Sequence, residues 1–252
     1  MIRSRNVSKA YGSATVLDEV DVSLLAGELT AIVGANGAGK STLLSIISRL
    51  TDADAGSVHV DELDLARARS DEVALRLAVL RQDTHMAARL TVRELVSFGR
   101  FPRSRGHLSA EDDVIVDDAI EFFELGDLQH RHLDQLSGGQ RQRAFVALTL
   151  AQDTPYVLLD EPLNNLDMRH SVRMMRHLRR LVEQLGKSVV IVIHDLNFAA
   201  AHADRIVALK DGRIAAVGTP ADVMTPATLE EIYDIPIDVH VVDGIPYAIY
   251  YR

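Results

Sequence analysis

The sequence lacks cysteine in all of its 252 residues. This absence excludes a disulfide framework and a thiolate metal site, and it is compatible with a cytosolic setting. The N-terminal stretch MIRSRNVSKAYGS has no apolar core, and no window approaches the roughly 18 uninterrupted apolar residues of a membrane-spanning helix. We therefore expect a protein that is neither exported by a standard signal nor membrane-spanning on its own.

Positive charge is also scarce. The chain has 27 lysine and arginine residues against 36 aspartate and glutamate residues, so its formal net charge is −9. A broad nucleic-acid surface needs clustered basic residues, and we therefore expect no nucleic-acid partner.

The most basic local run is 168–180, and it has the period of an amphipathic helix. One stripe holds Arg169, Arg173, Arg176 and Arg180, and another holds Val172, Met175, Leu178 and Leu181. We interpret the run as a helix that packs on the core and turns its arginines to solvent.

Composition predicts a globular protein with a sizeable core. Hydrophobic residues make up 47% and charged residues 25%, and neither repeats nor low-complexity linkers are visible. We predict one compact unit that is divided into subdomains.

The pattern along the chain predicts an α/β core with a helical insertion. Segments 16–25, 29–33 and 57–60 are β-prone, and a glycine-rich loop and an apolar-periodic helix follow 29–33. After a strand at 77–80, residues 84–152 hold almost no strand pattern and contain two helix starts, at Thr91 and Ser109. Buried-strand runs resume at 156–160, 189–194 and 206–209, and an Asp-Gly pair near the end predicts a hairpin.

The stretch GANGAGKS, 34–41, fits the phosphate-loop pattern G-x-x-x-x-G-K-[ST], with a strand before it and a helix after it. Its glycines let consecutive N–H groups face a phosphate, Lys40 brings a charge to the β and γ phosphates, and the Ser41 hydroxyl can ligate Mg²⁺. The predicted nucleotide-binding residues are Gly34, Ala35, Asn36, Gly37, Ala38, Gly39, Lys40, Ser41 and Thr42.

Two buried strands deliver further polar groups. YVLLDE ends in Asp160 and Glu161, which strand alternation would turn to different sides. We assign Asp160 to Mg²⁺ and Glu161 to the attacking water as general base. His194 ends the run VVIVIH at the same sheet edge and is predicted to contact the γ-phosphate or the water. The predicted catalytic residues are Lys40, Glu161 and His194.

A second anion-binding helix start lies at LSGGQ. Ser137 could cap a helix, Gly138 and Gly139 would expose their N–H groups, and the helix would run from Gln140 to Ala151. This stretch has no lysine, unlike the phosphate loop.

Together, Tyr11, GANGAGKST, Gln82, LSGGQRQR, VLLDEP, NNLD and His194 resemble, in kind and order, the ATP-binding subunits of ABC transporters. The resemblance covers essentially the whole chain. It implies an α/β phosphate-loop NTPase (RecA-like) core, with an N-terminal antiparallel β-subdomain and an inserted α-helical subdomain. The core and β-subdomain would take 1–83 and 155–225, the helical subdomain 84–154, and a C-terminal extension 226–252.

The resemblance also implies roles. Tyr11 would stack on adenine, Gln82 would contact Mg²⁺, and Asn165 and Asp167 would lie in a loop that crosses between two copies. The residues that bind the partner copy's ATP would be Ser137, Gly138, Gly139 and Gln140. Two copies would sandwich two ATP molecules, with ATP and Mg²⁺ as cofactors, and hydrolysis would drive transmembrane transport.

The implied partners are two integral-membrane permease subunits and, indirectly, a separate substrate-binding protein. The chain would be a peripheral protein on the cytoplasmic face of the membrane, and residues 92–108 would contact the permeases. Apolar Leu95, Phe98 and Phe101 alternate there with basic Arg100, Arg103 and Arg105.

Narrower features, LDEPLNNLDMRHSV and FGRFPRS (98–104), resemble the ATPases of bacterial iron–siderophore importers, whose relatives carry haem and vitamin B12. An importer of haem, cobalamin or another metal chelate stays open as an alternative. So do a soluble ATPase of the same family and a phosphate-loop kinase of metabolites. The run HVDELDL departs from the family by lacking a glycine near Glu62, at a predicted hairpin turn.

Overall fold

The computed structural model describes residues 1–82 and 89–250. Its strands are β1 (Ile2–Tyr11), β2 (Ala14–Leu24), β3 (Leu29–Gly34), β4 (Ala55–Val60), β5 (Leu63–Asp64), β6 (Leu77–Leu80), β7 (Tyr156–Asp160), β8 (Ser188–Val192), β9 (Arg205–Lys210), β10 (Arg213–Gly218), β11 (Asp238–Val242) and β12 (Ile245–Ile249). Its α-helices are α1 (Lys40–Ile47), α2 (Ser70–Ala74), α3 (Val92–Ser97), α4 (Phe101–Ser104), α5 (Ala110–Phe122), α6 (Gly138–Ala151), α7 (Met168–Leu185), α8 (Leu196–His202), α9 (Pro220–Val223) and α10 (Pro226–Tyr233).

The N-terminal strands form an antiparallel sheet in the order β2-β1-β4-β5. The hairpin between β4 and β5 closes without the missing glycine, because Asp61 takes the left-handed conformation at φ 53°. Asparagine and aspartate adopt that conformation more readily than other non-glycine residues. The predicted β-subdomain is therefore confirmed, including the turn next to Glu62.

The second sheet forms the core, in the order β10-β9-β3-β8-β7-β6. Its neighbours from β9 to β6 pair in parallel, and β10 adds an antiparallel edge strand. Every residue of β3, β7 and β8 is buried, which explains why these strands read as continuous apolar runs. Because the strands are parallel, the segments that follow β3, β6, β7 and β8 meet at one edge.

The regular elements that the structure describes between β6 and β7 are all helices, joined by turns. Within 89–155 the β-type pairing is a single isolated bridge, between Thr91 and His132. Both predicted helix starts form: Thr91 accepts from the N–H of Glu94, and Ser109 accepts from the N–H of Asp112. The predicted start of this insertion at Thr84 lies outside the described residues.

One buried ion pair fixes the middle of this helical unit. Arg100 Nε donates to Asp112 Oδ1 over 2.8 Å, and its Nη1 donates to the Ala151 carbonyl over 2.9 Å. Hydrogen bonds from the Ser109 N–H and from Arg100 lower the pKa of Asp112 to about 2. Arg100, one of the basic residues in the predicted permease contact, is only 4% exposed.

The C-terminal segment ends in the predicted hairpin. Strands β11 and β12 pair antiparallel, with Val242 opposite Ile245, and both turn residues, Asp243 and Gly244, have positive φ. The Asn197 side chain of α8 holds the hairpin, since it accepts from the Ala248 N–H over 2.8 Å and donates to the Ala248 carbonyl. In the two described ranges, no helix combines the length and the apolarity needed to cross a membrane.

Candidate functional site

The phosphate loop joins β3 to α1 at the carboxyl edge of the core sheet. Its glycines at 34, 37 and 39 all have positive φ. A Cβ on Gly34 would lie 2.2 Å from the Leu209 carbonyl oxygen, and one on Gly39 would lie 2.7 Å from the Val16 oxygen. These positions therefore need glycine for space as well as for conformation. Ala35, Asn36 and Gly37 form the exposed rim, whereas Ala38 is buried.

Lys40 is the buried cation of this loop. It is 5% exposed, and its ammonium donates to the carbonyl oxygens of Gly34 and Ala35 over 2.9 Å each. Burial lowers its pKa, while the nearby Glu161 and Asp160 raise it. The charge is thus fixed within the loop, where a phosphate on the N–H groups would meet it. Thr42 follows in the first turn of α1, half-buried.

The side chains of Ser41 and Asp160 meet beside the loop. Ser41 Oγ donates to Asp160 Oδ1 over 2.9 Å, although the two residues are 119 positions apart. Burial raises the pKa of Asp160, and the Ser41 hydrogen bond and Lys40 counteract it. A cleft of about 240 Å³ next to the pair is also lined by Gln82. Hydroxyl, carboxylate and amide oxygens on one cleft suit the oxygen preference of Mg²⁺, so the three residues fit the ion.

Glu161 is the centre of a second cluster. Its Oε2 accepts from Gln82 Nε2 over 2.7 Å and from the Asn164 amide, and its Oε1 lies 2.7 Å from His194 Nε2. Its side chain is 9% exposed, and the cleft beside it measures about 180 Å³. A nearly buried carboxylate that faces three hydrogen-bonding side chains is held in one orientation.

At the ends of β7 and β8, two details differ from the sequence predictions. Strand alternation was expected to separate Asp160 from Glu161, but β7 ends at Asp160 and Glu161 already lies in a turn with φ 50°. The two carboxylates still have different partners, but the turn after β7 separates them, and not the alternation of side chains along the strand. His194 does not end its strand either, since β8 stops at Val192.

The LSGGQ segment begins α6 with a capping box. Ser137 Oγ accepts from the Gln140 N–H over 3.3 Å, and Gln140 Oε1 accepts from the Ser137 N–H over 3.0 Å. The helix starts at Gly138 and not at Gln140, so both glycines belong to its first turn. Ser137 and Gly138 are exposed, whereas Gly139 is buried.

The loop after Glu161 packs against this helix start within the same chain. A Cβ on Gly138 would be 3.8 Å from the Asn165 oxygen, but one on Gly139 would be 2.3 Å from the His170 ring. Asp167 caps α7 and holds that ring, because its Oδ1 accepts from the His170 N–H over 2.8 Å and lies 2.7 Å from Nδ1. Sequence reasoning missed His170, and it placed Asn164 in the NNLD loop without its bond to Glu161, although these residues lie three positions after Asp167 and Glu161, respectively.

Tyr11 stands at the end of β1 with 53% of its surface exposed. The Lys9 ammonium lies 5.5 Å from the ring centroid and is itself bonded to Asp54 over 2.7 Å. The ring therefore offers a face to a planar ligand, as the adenine prediction requires.

A parallel sheet with a phosphate loop after one strand, and an aspartate and a glutamate after another, defines a nucleotide-binding protein of the phosphate-loop class. The family model described as ABC transporter matches residues 17–164. The chain belongs to this family, as its motifs indicated, and the predicted fold class is confirmed.

Individual relatives and structures agree with this assignment. The chain is 51% identical over 251 residues, spanning all of both chains, to the petrobactin import ATP-binding protein YclP of Bacillus subtilis (strain 168). It is 42% identical over 245 residues to the hemin import ATP-binding protein HmuV of Rhodococcus jostii (strain RHA1), which covers 96% of this chain and 84% of that protein. A dimeric post-hydrolysis ATP-binding cassette bound to ADP and phosphate superimposes with a TM-score of 0.78 at 32% identity, over 87% of this chain and 98% of the other.

Proposed function

We propose that this protein is the ATP-hydrolysing subunit of a bacterial ABC importer that takes up ferric siderophores. The observation that carries the hydrolytic part is the Glu161 cluster beside the phosphate loop. The cargo is supported by the names of relatives: YclP and FatE import petrobactin, and FhuC of Bacillus subtilis (strain 168), at 37% identity, imports iron(3+)-hydroxamate.

In this mechanism the loop N–H groups and Lys40 bind the phosphates of ATP and stabilise the charge that develops on them. Magnesium, when held by Ser41, Asp160 and Gln82, would neutralise charge on the β and γ phosphates. Water attacks the γ-phosphorus, its proton passes to Glu161, and the bond to ADP breaks. His194 lies on Glu161 Oε1 and orients the carboxylate, and it would contact the γ-phosphate or the attacking water.

Glu161→Gln tests the catalytic assignment. The amide cannot accept the proton, but it keeps the size of the side chain and its place beside the phosphate loop. We expect ATP to bind normally and hydrolysis to fall by about 10²–10⁴-fold. Turnover near that of the wild type would remove Glu161 from the role of base.

The LSGGQ segment is assigned to binding the ATP of a second copy. Ser137 and Gly138 are exposed at a helix start, and such a helix end attracts an anion without needing a lysine. Support comes from the similar cassette whose structure with ADP and phosphate is dimeric. Because each ATP would then need both copies, hydrolysis would depend on dimer closure, and the loop with Asn165 and Asp167 would cross between them.

Ser137→Arg separates this arrangement from a site within one chain. We expect the isolated monomer to bind ATP as the wild type does, since Ser137 lies outside the phosphate loop, and hydrolysis to be abolished. Loss of ATP binding by the monomer would show that the segment acts on its own chain's nucleotide.

Residues 92–108 are assigned to contact with two permease subunits at the cytoplasmic face of the membrane, with a substrate-binding protein acting indirectly. Phe98 and Phe101 are 52% and 58% exposed, a pairing of large apolar surfaces that suggests a partner. Because Arg100 belongs to the buried ion pair, the basic residues left for this surface are Arg103 and Arg105.

The absence of cysteine allows a clean test of this surface. Phe98→Cys would be the only thiol in the chain, and a membrane-bound complex treated with a thiol cross-linker should join it to a permease. Val241→Cys, on the exposed face of the C-terminal hairpin, is the matched control. Equal cross-linking of both variants would contradict the assignment.

The second candidate cargo is haem. It is favoured by the HmuV proteins of Rhodococcus jostii (strain RHA1) and Thermobifida fusca (strain YX), at 42% and 41% identity. A deletion strain grown under iron limitation distinguishes the two. Loss of growth on ferric petrobactin with normal growth on haem supports the siderophore, and the reverse pattern supports haem.

A further inference from the structure

A wide basic groove runs along α7, remote in sequence from the phosphate loop. It measures about 870 Å³ and lies between α7 and the turn that ends α5. We call it the arginine groove, and its lining residues are Glu124, Met168, Arg169, Val172, Arg173, Arg176, His177 and Arg180. The groove contains four guanidinium groups and one carboxylate, in a chain whose net charge is −9.

The four arginines are incompletely neutralised. Glu124 pairs with Arg173, and Arg180 lies over the Phe122 ring at 4.6 Å and donates to the neutral Gln184. Across 1–82 and 89–250, no carboxylate forms an ion pair with Arg169 or Arg176. A net positive groove on an acidic protein attracts an anionic partner.

His177 gives the groove an unsatisfied polar floor. It is 2% exposed, and neither ring nitrogen has a hydrogen-bond partner. The Phe123 ring packs at 5.1 Å on it, and burial together with Arg180 lowers its pKa to about 4. A neutral imidazole has one donor and one acceptor, and leaving both unpaired in the interior is unfavourable. The Nε2 of His177 lies 4.0 Å from Glu124 Oε1, so the carboxylate that pairs with Arg173 also faces this ring.

The dimensions favour an extended ligand. From Arg169 to Arg180 the helix rises by about 16 Å, which corresponds to about five residues of extended chain. A single phosphate or carboxylate would reach one turn only. The lining also includes Met168, which is 80% exposed, and Val172, so the groove offers apolar contact between its charges.

We propose that the arginine groove binds an extended acidic segment of a partner protein, whose carboxylates pair with Arg169, Arg176 and Arg180. Arginine clusters recognise acidic motifs in this way because each guanidinium can pair with a carboxylate through two hydrogen bonds. Glu124 acts as an internal competitor, since it occupies Arg173 from the rim of the groove. This inference does not depend on the transported cargo or on ATP hydrolysis.

The test uses the full-length protein and a fluorescein-labelled hexapeptide of four glutamates and two leucines, with binding followed by anisotropy. Arg176→Ala should weaken binding about three- to tenfold, because it removes one unpaired guanidinium. Glu124→Gln should strengthen binding by a similar factor, because it frees Arg173. Arg5→Ala, which removes one exposed charge from the β-subdomain, is the matched control and should leave the affinity unchanged.

Unchanged ATP binding would show that each variant is folded. Failure of the peptide to bind, or equal weakening by Arg5→Ala and Arg176→Ala, would overturn the proposal. Citrate and vesicles with anionic lipid serve as competitors. If either one binds the groove with the same dependence on Arg176 and displaces the peptide at equal charge concentration, the occupant is a small polyanion or a membrane surface, and the peptide assignment is wrong.

Discussion

Replacement of Gly139, the second glycine of LSGGQ, tests the packing of α6 against the loop that follows Glu161. A Cβ at Gly139 would lie 2.3 Å from His170 Cδ2, 2.6 Å from Cγ and 3.1 Å from Cβ. Normal carbon contacts are about 3.5–4 Å, so the overlap involves the body of the ring. The ring cannot simply swing aside, because Asp167 holds its Nδ1.

The expected cost of Gly139→Ala follows from this geometry. Overpacking of this kind typically costs about 1–3 kcal/mol. Alanine recovers up to about 1 kcal/mol relative to glycine in a helix. We therefore expect a net loss of up to about 2 kcal/mol in the free energy of unfolding, or up to about 8 °C in melting temperature for a chain of this size.

Gly138→Ala is the control, because it lies one residue earlier in the same helical turn. Its Cβ would meet only the Asn165 oxygen, at 3.8 Å, so the variant should be neutral or more stable. Stability of the isolated protein is the quantity to measure, by denaturant unfolding, since activity would also report on the proposed second copy. In a His170→Ala background, Gly139→Ala should lower the free energy of unfolding much less than it does in the wild type. Equal effects at the two glycines, or no relief from His170→Ala, would refute the reasoning.

Three further perturbations concern groups inside the fold. The pKa of His177 is lowered from 6.5 to about 4, so the unfolded chain binds a proton at this residue before the folded protein does as the pH falls. Between pH 7.5 and 5.5 the free energy of unfolding, measured with denaturant, should therefore fall by about 1 kcal/mol more in the wild type than in His177→Gln. Equal pH dependence of the two proteins would contradict this. Gly34→Ala would place a Cβ 2.2 Å from the Leu209 oxygen, so binding of an ATP analogue should weaken more than tenfold, and wild-type affinity would exclude the overlap. Ser41→Ala removes the hydroxyl that bonds Asp160 and should raise the Mg²⁺ concentration needed for half-maximal hydrolysis. Ser41→Thr keeps a hydroxyl and should need the same Mg²⁺ concentration as the wild type. An unchanged Mg²⁺ dependence in Ser41→Ala would remove Ser41 from the ion's ligands.

Features with local causes were predicted well from the sequence. The phosphate loop, the capping boxes at Thr91 and Ser109 and the Asp-Gly turn of the last hairpin all form as expected. Each depends on residues within a few positions of one another, whose turn and cap chemistry can be read directly.

Features with long-range causes were predicted incompletely. Arg100 reads as one basic residue in an alternating surface stretch, but the fold brings Asp112 and the Ala151 carbonyl to it and buries it. Two of the groups on Glu161 come from Gln82 and His194, which are 79 and 33 positions away, and those separations do not indicate that the side chains meet on one carboxylate.

The sequence by itself determined the family, the nucleotide-binding loop and the residue types of the site, because motif spacing and hydrophobic period are properties of the chain. Only the tertiary structure decided that Glu161 leaves its strand, that His170 fills the space beside Gly139, and that His177 forms the floor of a basic groove. These arrangements depend on which distant side chains share a volume, and close packing settles that only when the sheets and helices come together.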